Sequence, residues 1–387
     1  MPAISLRLAG YYAAYFATVG ILLPYWPVWL QAHGLGAGEI GALLGVVLWL
    51  KVLVSPLIAQ AADARRARRR FMVGLSALAL AGYAGIALSD ALWGLLVLAL
   101  LGGVALAAIL PLGDATVLAQ VYARGLDYGR LRLWGSIAFI LTSVGLGHLV
   151  GFAGVDLVLW ALLASLCLLT LSAAALPAEV AGGGAGTEVD APAGGAIRYL
   201  LRRPVFLIFV LTISLNQASH AALYGFATLH WRAAGIDDGT IGLLWAEGVV
   251  AEIALFSLSN RVLRRFGIAN LMLIAALAGV VRWFAMGASA ALPVLIAVQA
   301  LHGLTFGAGH LAAMHFIARA IPPQMTATAQ SLNSALAGGI ATGLSLLLAG
   351  WLYDLIAGRA FLAMVLLAAA AVASALWLRR RWAGDRI

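Results

Sequence analysis

The chain has 387 residues, of which 64% are of hydrophobic type and only 10% are charged, and its mean hydropathy is +1.01. Soluble proteins carry about 25% charged residues, so this composition excludes a water-soluble globule and describes an integral membrane protein. The 24 basic against 15 acidic residues fit basic loops on one side of a membrane, with no nucleic acid implied, and the single cysteine, Cys167, supplies neither an internal disulfide nor a metal framework.

Apolar runs near the 20 or so residues that a bilayer crossing needs fall at 8–30, 40–60, 71–89, 92–120, 131–152, 155–176, 204–230, 240–260, 269–287, 292–318, 327–352 and 360–378. They predict an all-α integral membrane protein with twelve transmembrane helices. The first run follows Arg7 without a small-residue cleavage site and reads as a retained helix rather than a removed signal peptide. It carries Tyr11 and Tyr15, and near its end Trp26 and Trp29. These two tryptophans, with Trp231 and Trp351, are expected to anchor at the membrane interface. In the second span, Gly41 and Gly45 have the four-residue spacing that permits close helix approach, repeated at Gly339 and Gly343 in the eleventh. Lys51, the only lysine, lies too deep in the second span to snorkel easily. It reads as an anion-attracting group in a cavity, a partner for a charge elsewhere, or a solvated amine.

Asp114 in the fourth span and Arg132 at the start of the fifth are each 9 residues from Ala123, so an antiparallel hairpin brings them level. A guanidinium offers a fork of donors that fits a carboxylate in two bonds. Arg132 is therefore a candidate carboxylate receptor that Asp114 holds when the site is empty; the alternative is a structural lock between the two helices. The longest polar stretch, 177–203, is rich in glycine and reads as a flexible cytoplasmic linker between a six-span half at 1–176 and another at 204–387 with a short basic tail. A shift of 201 aligns the halves, placing Ala32, Gly34, Ile40, Gly41 and Leu43 on Ala233, Gly235, Ile241, Gly242 and Leu244. Two pseudo-symmetric six-helix bundles are the layout of a secondary transporter.

The seventh span presents Asn216, Gln217, His220 and Tyr224, whose spacing places several on one face. With Tyr15 they are candidate substrate contacts, since small-molecule sites combine apolar walls with a few placed polar groups. Glu252 and Arg282 are each 15 residues from Gly267, and Arg282 and His302 each 10 from Leu292. The three should share one level. A charge at mid-bilayer costs at least about 2.5 kcal/mol, so an acid, a permanent cation and an imidazole at one depth form either a proton switch or a static ion pair. His310 and His315 are five apart, about 500° around a helix, which is unsuited to a metal pair. No metal and no cofactor are assigned. With the N-terminus inside, twenty arginines fall on cytoplasmic segments or helix ends and only Arg232 and Arg359 on the other side, which places both termini in the cytoplasm and the protein in the cell (inner) membrane.

The loop Ala59-Gln60-Ala61-Ala62-Asp63-Ala64-Arg65-Arg66-Ala67-Arg68-Arg69 resembles the Gly-x-x-x-Asp-Arg-x-Gly-Arg-Arg loop of the major facilitator superfamily, with Ala59, Ala64 and Ala67 among its departures from that pattern. The resemblance implies a gate role for Asp63, Arg65 and Arg69; otherwise the loop is a topogenic basic segment. Two further stretches, Tyr128-Gly129-Arg130-Leu131-Arg132-Leu133-Trp134-Gly135-Ser136 and Gln299-Ala300-Leu301-His302-Gly303-Leu304-Thr305-Phe306-Gly307-Ala308-Gly309-His310, look like the phenylpropionate permease branch of that superfamily. That branch is similar to the lactose permease type of proton symporter. The latter has an acid and an arginine spaced like Asp114 and Arg132, serving substrate, and an arginine and a histidine matching Arg282 and His302. Its acid one turn after the histidine is Thr305 here, so Glu252 is the candidate to take over protonation.

The expected function is proton-coupled symport of a small aromatic or other organic acid by alternating access, by a monomer whose partners are substrate, protons and lipid. Sugar or nucleoside symport and drug export are the alternatives within the fold. A membrane-embedded lipid-modifying enzyme is the alternative of another class, but neither Asp-Asp-x-x-Asp nor His-Glu-x-x-His occurs, nor a phosphate-cradling Gly-x-x-x-x-Gly-Lys-Ser/Thr loop. The chain is not expected to be an enzyme.

Overall fold

The computed structural model describes residues 3–89, 91–177 and 193–387. No strand occurs among them. Backbone groups in a bilayer must be satisfied within their own segment, and helices do that. The helices are α1 (Ala3–Ala32), α2 (Ala37–Ala64), α3 (Arg68–Ile86), α4 (Leu92–Arg124), α5 (Tyr128–Ala153), α6 (Leu157–Ala174), α7 (Ala193–Leu201), α8 (Pro204–Ala218), α9 (Ala221–Ala233), α10 (Asp238–Ser257), α11 (Ser259–Phe266), α12 (Ile268–Ala288), α13 (Leu292–Gln299), α14 (Gly309–Ala320), α15 (Thr326–Asn333), α16 (Thr342–Ile356) and α17 (Ala360–Arg381). Among the described residues, ten stretches are long and apolar enough to cross a membrane. The last, Pro323–Arg381, is 59 residues long and holds two rods, α15 to α16 and then α17. The predicted third span is α3, outside those ten, which begins with Arg68, Arg69 and Arg70.

One compact unit comprises Met1–Gly36, Val46–Thr187 and Gly235–Ala246. In it α1 packs on α5 and α6, and α3 on α4 and α6. The 33 residues of α4 extend about 50 Å at 1.5 Å per residue, more than the hydrocarbon thickness of about 30 Å. It ends at Gly125, whose φ of +62° is a left-handed cap that glycine adopts without strain. Two residues later the Asp127 carboxylate accepts from the Arg130 backbone N–H and starts α5. This tight connection sets Asp114, Tyr128 and Arg132 near one another.

The other unit comprises Ala37–Gly45, Glu188–Ala234 and Glu247–Ile387. Here α12 packs on α17, α17 on α8, and α16 on α9. Three of its membrane rods are interrupted. Between α8 and α9 the chain turns at Ser219 and His220; π-helical turns occupy Gly303–Ala308 between α13 and α14, and Ser334–Ala341 between α15 and α16. Such turns in membrane helices concentrate at functional positions. Part of the predicted linker is α7, which buries Ala196 and Leu200, four residues apart, and exposes Arg198. Residues 178–192 of that linker lie outside the described residues.

One expectation about packing changes. Trp26 and Trp29 are 3% exposed and Trp231 is fully buried, so three of the four predicted interfacial tryptophans are core residues; Trp351 is exposed. Trp26 stacks on Trp29 at 4.9 Å, and Trp29 stacks on His33, so ring packing inside the unit takes the indoles from the interface. The glycines of the second predicted span do lie at a close helix approach. A Cβ at Gly45 would lie 2.7 Å from the Gly343 carbonyl oxygen, whereas Gly41 faces the Leu346 carbonyl and Gly350, not Gly339. Beside this crossing, the Ala37 and Gly38 backbone N–H groups donate to the Asp354 carboxylate at 2.9 and 2.7 Å, capping α2. Backbone atoms cannot rotate aside. Gly41→Val should therefore lower the thermal unfolding midpoint in detergent, at about 1–3 kcal/mol of overpacking. Gly10→Val, with nothing within 4 Å of a built Cβ, should not share that loss of packing.

Candidate functional site

In the second unit the guanidinium of Arg282 is completely buried. Its Nη1 donates to Thr305 Oγ1 at 2.9 Å and to His302 Nδ1 at 3.0 Å, its Nη2 donates to Gln299 Oε1, and its central carbon lies 4.8 Å from the Trp283 ring centroid. Arginine is only a donor, so His302 Nδ1 must accept and the neutral imidazole carries its hydrogen on Nε2. That nitrogen lies 3.9 Å from Glu252 Oε2. The three residues predicted to share a level thus form the row Glu252, His302, Arg282. The acid stands next to the histidine, and the histidine next to the arginine. Glu252 is a quarter exposed and His302 about half that, so the acid is the more exposed end of the row. Glu247, on the same helix as Glu252, acts electrostatically on Arg282, whose Nε has no hydrogen-bond partner among the described residues.

The helix interruptions make this row possible. A Cβ at Gly303 would lie 2.6 Å from the Ala251 carbonyl oxygen, and one at Gly248 would be 3.4 Å from His302. Glycine at both places lets α10 and the π turn come close enough for Glu252 to reach His302. His220, at the break between α8 and α9, donates from Nδ1 to the Asn216 carbonyl at 2.8 Å and accepts at Nε2 from Thr305 Oγ1 at 3.2 Å. Asn216 Nδ2 donates to the Thr305 carbonyl at 3.0 Å. These two predicted substrate contacts are fully or almost fully buried in the Arg282 network. Gln217 is partly exposed on the same helix.

In the first unit Asp114 accepts from the Tyr12 hydroxyl at 2.6 Å and from the Tyr128 hydroxyl at 3.4 Å. The Tyr12 and Tyr128 rings meet edge to face at 6.2 Å. Arg132 is close enough to act electrostatically on Asp114, yet no ion pair within 4 Å joins them among the described residues. Its guanidinium carbon lies 3.8 Å from the Phe16 ring centroid and 5.5 Å from that of Tyr12. Gly135 makes the Phe16 contact possible, because a Cβ there would come within 2.6 Å of that ring. Tyr15 is buried and meets Phe16 edge to face at 5.2 Å. The expected Asp114–Arg132 hairpin pair is therefore a neighbourhood with two tyrosine hydroxyls on the acid.

Lys51 is half-buried in α2, with no hydrogen bond or ion pair to it among the described residues. In the basic loop Asp63 pairs with Arg68 Nε at 2.5 Å. Arg65 instead donates to the Ala61 carbonyl and Arg69 to the Leu176 carbonyl. Sequence reasoning did not select Tyr12, Phe16, Tyr128 or Gln299 as site residues. Tyr12 and Phe16 do fall one turn apart on the first span, and Tyr128 one turn before Arg132, a spacing that could have drawn attention to them.

Residues 5–363 match the family described as MFS_1 like. The chain is 37% identical over 366 residues to the probable 3-phenylpropionic acid transporter of Escherichia coli (strain K12), covering 93% of this chain and 94% of that protein. The chain belongs to the MFS_1 like family. It is also 30% identical to the maltose permease of Geobacillus stearothermophilus, over 89% of this chain and 86% of that one. Among solved structures, the nucleoside transporter NupG superposes with a TM-score of 0.82 at 18% identity over 98% of each chain. A D-xylose-proton symporter superposes with a TM-score of 0.68 at 15% identity, over 98% of this chain and 97% of that one. The family member described here has the major facilitator fold, as the twelve spans and the repeat led one to expect, and is a secondary transporter in a membrane, not an enzyme.

Proposed function

We propose that this transporter carries small aromatic or other organic carboxylates together with protons, from outside to inside the cell. The observation that carries the reading is Arg132: a cation without an ion pair among the described residues, set against the faces of Phe16 and Tyr12. A carboxylate attached to an aromatic ring complements such a corner, the charge meeting the guanidinium fork and the ring meeting aromatic walls. The name of the 37% identical relative supports the same class of cargo. Lys51, Gln217, Asn216 and His220 are proposed as further polar groups that serve cargo.

Coupling is proposed to run through Glu252, with His302 and Arg282 as its partners, and the cytoplasmic gate through Asp63 and its neighbouring arginines. The working division is a half at 1–176, a connecting segment at 177–203 and a half at 204–387, cycling by alternating access. The arginine asymmetry supports cytoplasmic termini and the inner membrane.

The test is uptake into proteoliposomes under an inside-alkaline pH gradient. Labelled 3-phenylpropionate should accumulate, while maltose and uridine should not. Gradient-driven accumulation of maltose, with the acid inert, would replace this reading with the sugar symport that the second relative's name suggests.

A further inference from the structure

We propose that Tyr12 is a positioning residue for anion recognition: with Tyr128 it holds Oδ1 of the Asp114 carboxylate away from Arg132, so that the guanidinium stays open to an incoming carboxylate. The inference rests on the reading of Arg132 as the carboxylate site and names what keeps that site selective for acids.

Three observations carry it. The Tyr12 hydroxyl is 2.6 Å from Asp114 Oδ1, within the range of charge-assisted O–H···O⁻ bonds, and the Tyr128 hydroxyl approaches the same oxygen at 3.4 Å. The guanidinium of Arg132 makes no hydrogen bond among the described residues and lies over Phe16 instead, leaving its donor fork uncommitted. The Tyr12 ring is itself fixed: it is completely buried and tilted against Tyr11, whose hydroxyl donates to the Ile109 carbonyl of α4. Gly113, next to Asp114, accommodates that arrangement, since a Cβ there would collide with the Tyr11 hydroxyl. An acid and an arginine on neighbouring helices would otherwise pair with each other and compete with an anionic ligand. A neutral, hydroxyl-rich cargo would suffer no such competition, so the tyrosine clamp is a device for carboxylate over sugar.

Tyr12→Phe keeps the ring and removes only the hydroxyl. It should release Asp114 to Arg132 and raise the KM for 3-phenylpropionate about tenfold, the effect of losing one good polar contact, with kcat little changed. The preference for 3-phenylpropionate over 3-phenylpropionamide should narrow in parallel. Adding Asp114→Asn should restore most of the lost affinity, because an amide cannot capture Arg132 as an ion pair. A merely structural tyrosine predicts the reverse: the second substitution compounds the damage. Calorimetric binding to detergent-purified protein, with the unfolding midpoint of each variant measured alongside, checks affinity independently of transport. The inference is overturned if Tyr12→Phe leaves KM and the acid-to-amide ratio unchanged, or if the double variant is no better than the single one. Arg132→Gln separates this from the parent reading. If it abolishes acid binding while Tyr12→Phe does nothing, only the clamp fails; if it leaves acid binding intact, both fail.

Discussion

Glu252→Gln is expected to abolish accumulation of cargo against its gradient while leaving exchange of labelled for unlabelled cargo largely intact. If one proton accompanies each cargo molecule, a gradient of one pH unit, about 1.4 kcal/mol, supports roughly tenfold accumulation. The variant should reach a ratio of about one. Glutamine resembles the protonated acid in shape and charge, so the loaded carrier can form and reorient, but it has no proton to release. The geometry favours the acid over the imidazole as the proton-carrying group. His302 Nδ1 accepts from Arg282, so His302 cannot take a second proton without breaking that bond, whereas Glu252 lies at the more exposed end of the row. Charged or titratable groups near the row are Glu247 on the helix of Glu252, His220 and Tyr224 across the broken α8–α9 rod, and His310 beyond Phe306 on the rod of His302. Intact pH-driven accumulation in Glu252→Gln would remove Glu252 from coupling and turn attention to Glu247.

Depth could be reckoned from the sequence because antiparallel hairpins of uniform rise tie position along the chain to height in the membrane. That arithmetic brought Glu252, Arg282 and His302 to one level without any knowledge of side-chain contacts. It could not give azimuth or local pitch. The turn at Ser219 and His220 and the π turns at Gly303–Ala308 rotate the helix faces that follow them. His220 and Asn216, assigned from uniform spacing to a cavity wall, enter the buried network instead. Asp114 and Arg132 fail to pair for a similar reason. Equal distance from a turn says nothing of the hydroxyl that arrives from α1, and Tyr12 is 102 residues away in sequence. The tryptophans show the same limit, because position near a helix end does not reveal whether a neighbouring ring will cover an indole.

Arg282→Met is expected to eliminate uphill transport while moving folding stability by no more than about 1 kcal/mol. Arg282 makes three side-chain hydrogen bonds, to Thr305, His302 and Gln299. At about 0.6 kcal/mol for each interhelical bond in a membrane protein, they contribute about 2 kcal/mol. Against this stands the penalty of about 2.5–3.5 kcal/mol for inserting an arginine at the centre of a membrane helix, which methionine removes while filling similar space. The terms nearly cancel, the remainder being the cost of leaving Gln299 and Thr305 without their donor. A residue that nearly breaks even in stability is placed there for what its charge does. Without it His302 loses the donor that fixes its tautomer, and Glu252, the proposed proton carrier, loses an ordered neighbour. Arg282→Lys should fail to rescue, since one ammonium cannot reproduce a planar fork shared among three acceptors. Thermal unfolding of purified protein and pH-driven uptake in proteoliposomes, measured on the same preparations, check both halves. A fall of many degrees in the midpoint with uptake retained would make Arg282 a structural strut and the row merely its packing.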